Sequence, residues 1–145
     1  MRKSPFSIRM VRMSIIGHGI DLAEVPRISR MRAEHGDRFL ERCFTVAERA
    51  YCLSHRDADV HFAGRFAAKE AILKVLGTGL RGQMACVDME VLNDAVGKPE
   101  VRLSGECGRV AAELGIERWH LSITHTAGLA MASAIGESPP PDNVL

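Results

Sequence analysis

A chain of 145 residues, 46% apolar and 26% charged, has the size and make-up of one globular domain with a true core, too short for two. A net charge of +1 excludes a general attraction to nucleic acid or to membranes, so charge recognition has to come from local patches. No apolar run approaches the length of a membrane span, and the basic start Met1-Arg2-Lys3 lacks the long apolar stretch of a secretory signal.

Residues 1–13 are read as an N-terminal extension, 14–137 as the domain and 138–145 as a tail marked by Pro139-Pro140-Pro141. Ser14 to Ile20 predicts a short buried strand ending at Asp21. Pro26 suits a first helical turn, which predicts a helix to about Glu34, closed by Gly36. Thr45-Val46-Ala47-Glu48 has the form of a capping box opening a helix through about Ser54, a structural motif. A longer helix is expected from about Val60 to Leu76, ending at Gly77-Thr78-Gly79, where glycine takes a left-handed cap.

Beyond it, Asp88–Leu92 and Glu100–Leu103 read as paired strands joined by a turn from Asn93-Asp94 to Gly97-Lys98-Pro99. A helix over about 105–114 follows, stopped by Gly115. Strands Trp119–Thr124 and Leu129–Ile135, joined near Thr126-Ala127-Gly128, close the domain. The fold class is α+β, a small, mainly antiparallel sheet with helices on one side and one long helix carrying the site.

Cys43, Cys52, Cys86 and Cys107 form no C-x-x-C and have no histidine at ligand spacing. They read as scattered reduced thiols of a cytoplasmic protein rather than a disulfide framework or a zinc site.

Three groups stand out from a plain fold. On a helical wheel of about 100° per residue, Phe62, Phe66 and Leu73 form an apolar stripe and Glu70 falls inside it. A carboxylate there needs a cation or metal, and Lys69 and Lys74 flank the stripe. The spacing also fits a simple ion pair between Glu70 and Lys74, four residues apart. Asp21, between a strand and a helix, is either a helix cap or a residue presented to a site. His120, Ser122 and Thr124 share one face of an alternating strand, either turned to a ligand or to solvent. Walker, nucleophile-elbow and metalloprotease motifs are missing.

Taken together, Gly19-Ile20-Asp21, Arg27-Ile28, Phe44-Thr45 with Glu48, Gly64-Arg65-Phe66-Ala67-Ala68-Lys69-Glu70-Ala71 with Lys74, Leu76 and Gly77-Thr78-Gly79, Gly97-Lys98-Pro99, and His120 to His125 resemble the acyl carrier protein synthase type of phosphopantetheinyl transferase. The similarity runs from about Ile15 to Ile135.

The resemblance implies transfer of 4'-phosphopantetheine from coenzyme A to a serine of an apo acyl carrier protein in fatty acid biosynthesis, with release of 3',5'-ADP. It makes Asp21 and Glu70 the carboxylate ligands of Mg²⁺, a hard cation that takes its remaining ligands from water and phosphates. Lys74 would stabilise or protonate the leaving phosphate. The serine proton acceptor stays open between a metal-bound water and Asp21. Arg65, Lys69 and His120 match positions around the coenzyme A phosphates, with Gly77, Thr78 and Gly79 beside the nucleotide and Ser122 and Thr124 lining the same site. Arg27, with Arg30 and Arg32 near it, matches the surface that meets the acidic carrier. Homotrimers with sites between subunits are implied as well. His18, close in sequence to Asp21, departs from the apolar residue usual there. A hydrolase of coenzyme A pyrophosphates and a carrier-binding module without turnover are the competing readings.

Overall fold

The structure, a computed structural model, describes residues 14–140. The expected extension at 1–13 and the distal part of the expected tail lie outside the described residues. Strand β1 (Ser14–Glu24) leads into helices α1 (Val25–Cys43), α2 (Val46–Leu53) and α3 (Ala58–Leu76). A single 3-10 turn (Cys86–Asp88) precedes strands β2 (Met89–Asn93) and β3 (Pro99–Leu103). Helix α4 (Gly105–Glu113) and strands β4 (Arg118–Thr126) and β5 (Leu129–Ser138) complete the chain. The expected α+β class holds. β1, β5 and β4 form an antiparallel sheet in that order, while β2 and β3 pair as a separate antiparallel ribbon.

β4 turns into β5 through Ala127 and Gly128, both at positive φ, with Thr126 opposite Leu129. That sign pattern belongs to the tight turns whose twist matches a hairpin. Thr45 and Glu48 satisfy each other's backbone donors as expected of a capping box, and Gly77 caps α3 at φ 77°.

Two segments run further than their sequence signals. β1 continues to Glu24, so Asp21 lies inside a strand and not in the connecting loop. α1 passes Gly36, where φ 52° and ψ −133° break the regular helix, and resumes to Cys43. Phe39 and Leu40 beyond the break are buried, and their burial holds the second half in place.

The core is organised by α3, whose small residues let it lie against the sheet. A Cβ on Gly19 would fall 2.0 Å from the Ala71 carbonyl oxygen, and one on Gly17 would fall 2.9 Å from that of Val75. The two glycines of β1 are therefore the condition for this helix–strand approach. α3 is buried nearly all round, with Phe62, Ala63, Ala67, Ala71 and Ile72 fully enclosed. The amphipathic stripe expected of it is absent for that reason: it is a central helix, not a surface one.

Candidate active site

Residues along β1 alternate between two faces of the sheet. Gly19 and Asp21 stand opposite Ala134 and Ala132 on β5, and these opposite Leu121 and Ile123 on β4; this is the face that α3 covers. The close approach at Gly19 sets Asp21 beside the third and fourth turns of α3. Lys74 reaches across, its Nζ donating to the Ile20 carbonyl at 2.7 Å and to the Asp21 carboxylate at 3.2 Å. Among the described residues Glu70 has no ion pair within 4.0 Å, so the simple Glu70–Lys74 pair is not formed. Glu70 is half-buried on the open line of α3 with Phe66 and Lys74, not inside an apolar stripe.

Burial, followed by the nearby Asp21 charge, pushes the Glu70 carboxyl above its ordinary range, while Lys74 and Arg27 pull the other way. Asp21, Glu70, Lys74 and Arg27 thus form one electrostatic group. Two carboxylates against one bonded ammonium leave room for a further cation, and their hard oxygens suit Mg²⁺. Among the described residues no cluster of three or more His, Cys, Asp or Glu side chains forms a complete metal cage. The pair therefore fits an ion that draws its other ligands from water and a substrate phosphate.

Glu70 lines a cavity of about 860 Å³ between α1, α3 and the loop before β2. Arg38, Arg42 and Arg81 stand around it, with Met31, Phe39 and Phe66 supplying apolar wall. The basic rim was missed in the sequence because Arg38 and Arg42 lie beyond Gly36. Met31 and His35 before the break and Arg38 and Arg42 after it line the same cavity.

The other expected site residues divide sharply. Gly77, Thr78 and Gly79 cap α3 and open the loop whose Leu80 and Arg81 line the cavity. Thr78 Oγ1 donates to the Gly79 carbonyl at 2.7 Å. Arg27 and Arg30 are exposed on α1, whereas Arg32 is engaged with Asp59 at 2.9 Å.

Lys69, expected as a phosphate contact, lies in the interior in this structure. It is 2% exposed, and its Nζ donates to Glu48 at 2.6 Å and to the carbonyls of Cys43 and Cys86 at 2.7 and 3.2 Å. All three ammonium protons have partners inside the protein. Glu48, fully buried, also accepts from Thr45 N at 2.9 Å and Val91 N at 3.0 Å, so the capping-box glutamate is a hub between α2, α3 and β2. Arg65 is also buried, with its guanidinium 4.0 Å over the Tyr51 ring and one nitrogen donating to Asn93 at 2.8 Å. Its Nε is buried without a partner.

His120, Ser122 and Thr124 lie on the opposite face of the sheet from Asp21. Rows run across β1, β5 and β4 as His18–Ile135–His120, Ile20–Ser133–Ser122 and Leu22–Met131–Thr124. His120 Nε2 is 2.8 Å from Glu137, and His18 Nε2 is 3.0 Å from Ser133 Oγ. His18 therefore has no access to the Asp21 carboxylate of its own chain, despite its place in the sequence.

Residues 17–131 match the family profile described as the 4'-phosphopantetheinyl transferase superfamily. A holo-[acyl-carrier-protein] synthase of Koribacter versatilis is 48% identical over 123 residues, spanning 85% of this chain and 98% of that protein. The crystal structure of holo-[acyl-carrier-protein] synthase from Neisseria meningitidis superposes with a TM-score of 0.79 at 32% identity, covering 86% of this chain and 100% of that one. The Bacillus anthracis holo-(acyl-carrier-protein) synthase, solved in complex with CoA (3',5'-ADP), gives a TM-score of 0.71 at 38% identity, over 88% and 99% of the two chains.

Proposed function

The chain belongs to the 4'-phosphopantetheinyl transferase superfamily, and from that premise we propose that it transfers the 4'-phosphopantetheine arm of coenzyme A to a serine of an apo acyl carrier protein, with residues 14–137 as the transferase domain. The observation that carries this reading is the grouping of Asp21, Glu70 and Lys74, with Glu70 lining a cavity rimmed by arginines.

The serine oxygen attacks the β-phosphorus of coenzyme A, and the bond to the α-phosphate oxygen breaks as 3',5'-ADP leaves. Asp21 and Glu70 would hold Mg²⁺, which when bound neutralises the charge of the pyrophosphate. Lys74, fixed by the Ile20 carbonyl and Asp21, holds a positive charge where the leaving phosphate gains a negative one. Arg27 and Arg30 stay free on α1 to meet an acidic carrier, mainly steering its approach and orientation. Gly77, Thr78 and Gly79 fit a place beside the nucleotide, since their loop continues into the cavity wall. Arg65, buried with its guanidinium on Tyr51 and Asn93, and Lys69, bonded to Glu48, act through the frame of the site in this reading.

His120, Ser122 and Thr124 serve a neighbouring subunit's site in this reading, because the sheet separates them from Asp21 and Glu70 of their own chain. Ile20 and Leu22 on the same open face are 49% and 62% exposed, which supports burial in a homotrimer. The carrier is that of fatty acid biosynthesis, and the four free thiols suit work in the reducing cytoplasm. No helix among the described residues is long and apolar enough to cross a membrane.

The test is to incubate the protein with coenzyme A, Mg²⁺ and apo acyl carrier protein and weigh the carrier. A gain of one phosphopantetheine, abolished by a chelator, is expected. Release of 3',5'-ADP with an unmodified carrier would replace the transferase with a hydrolase.

A further inference from the structure

Cys43 and Cys86 are far apart in sequence but both line the cavity beside Glu70. Cys43 is the last residue of α1 and Cys86 the first of the 3-10 turn before β2. One ammonium holds both, since Lys69 Nζ bonds the Cys43 carbonyl at 2.7 Å and the Cys86 carbonyl at 3.2 Å. Each thiol acts on the acidity of the other, Cys43 being pushed up and Cys86 lowered to about 7. Both residues are partly exposed, in contrast to Cys52 and Cys107, which are fully buried. The scattered-thiol pattern of the sequence thus conceals two partly exposed cysteines that line one cavity and share one ammonium.

We propose that Cys43 and Cys86 are a thiol–disulfide exchange site that takes small disulfides and closes into a bond across the wall of the cavity. The Cys86 sulfur attacks one sulfur of a disulfide RSSR. The S–S bond breaks, one RS⁻ leaves with the electron pair, and it takes up the proton released by Cys86. The Cys43 sulfur then attacks the Cys86 sulfur of the mixed disulfide, and the second RS⁻ leaves and is protonated. Two cysteine thiols are oxidised and RSSR is reduced to two RSH. The product ties the end of α1 to the loop before β2, so it joins two walls of the cavity. Glutathione disulfide and the disulfide of coenzyme A share the required chemistry. The site stands apart from the transferase reading, because its readout is mass and thiol count.

The native protein is incubated with excess oxidised glutathione, free thiols are alkylated, and the digest is weighed. A peptide pair linked through Cys43 and Cys86 is expected, with loss of two of the four thiols and recovery of both on reduction. C43S should stop at a glutathionyl adduct on Cys86, and C86S should give no linked pair. Retention of all four thiols in the native protein would overturn the proposal. So would glutathionyl adducts on both cysteines of the wild type with no linked peptides.

Discussion

Lys74 bonds Asp21 on the neighbouring strand at 3.2 Å and leaves Glu70, four residues earlier on its own helix, without an ion pair. Glu70 is thus left without a direct cation partner, and Lys74 and Arg27 offset its burial only in part. Asp21→Ala and Glu70→Ala should each reduce carrier modification by about 10²–10³-fold or more, the scale of losing a strong electrostatic contributor. Circular dichroism should show both variants folded. Full turnover in either would remove that residue from the site.

The same imbalance makes a prediction that needs no activity. The Glu70 carboxyl is raised above 4.5, so between 4.5 and its folded value the folded protein binds more proton than the unfolded chain. Its share of stability is therefore largest at low pH and declines as pH rises through the raised value. In metal-free protein at neutral pH, Glu70→Gln should melt higher than wild type, with the gap closing as pH falls towards 4.5. Added Mg²⁺ should raise the melting temperature of wild type and have much less effect on the variant. Equal Mg²⁺ shifts in both, followed by thermal melts, would take the ion away from Glu70.

Gly19→Ala tests what places Asp21. The new Cβ would meet backbone 2.0 Å away at Ala71, which no side-chain rotation relieves. β1 and α3 must separate, at a cost of about 3 kcal/mol or more, at or above the upper range for overpacking. Gly79→Ala, with open space at its Cβ and no positive φ, should leave the urea midpoint near that of wild type. A Gly19→Ala midpoint equal to wild type would contradict the close contact.

Lys69→Met separates a frame residue from a phosphate ligand. Removing the ammonium leaves the Glu48 carboxylate buried without its partner, which costs about 3–5 kcal/mol. The double variant Lys69→Met, Glu48→Gln should recover part of that loss in urea unfolding. A phosphate ligand behaves otherwise, with stability unchanged and a higher KM for coenzyme A.

Local signals gave the capping box at Thr45, the left-handed cap at Gly77 and the turn at Ala127-Gly128, because each depends on neighbours within a few residues. Glu70 stood out as a carboxylate within an expected apolar stripe and Asp21 as one between a strand and a helix, and the fold brings them into one electrostatic group. What stayed hidden depends on tertiary burial. Gly36 reads as a stop until Phe39 and Leu40 find the core, and Lys69 reads as a cation flanking a helical stripe until Glu48 is seen buried against it. The meeting of Cys43 and Cys86 has no sequence pattern, since it arises from where α1 ends and the loop before β2 returns.

The opposite facing of Asp21 and His120 leads to a mixing experiment. In one chain the sheet stands between the two, so a site that uses both must take His120 from a neighbour. In the proposed homotrimer, the Glu70→Ala and His120→Ala variants should each lack a complete site. Unfolded together and refolded in equal amounts, they form mixed trimers in which a junction pairs the intact Glu70 of one chain with the intact His120 of the next. Random assembly makes about a quarter of junctions complete, so carrier modification should return to about a quarter of the wild-type level. Each variant refolded alone should stay inactive. A mixture no more active than its components would place both residues in the same chain's site or leave His120 out of it. Sedimentation of the refolded mixture, done alongside, confirms that trimers have formed before the activity is compared.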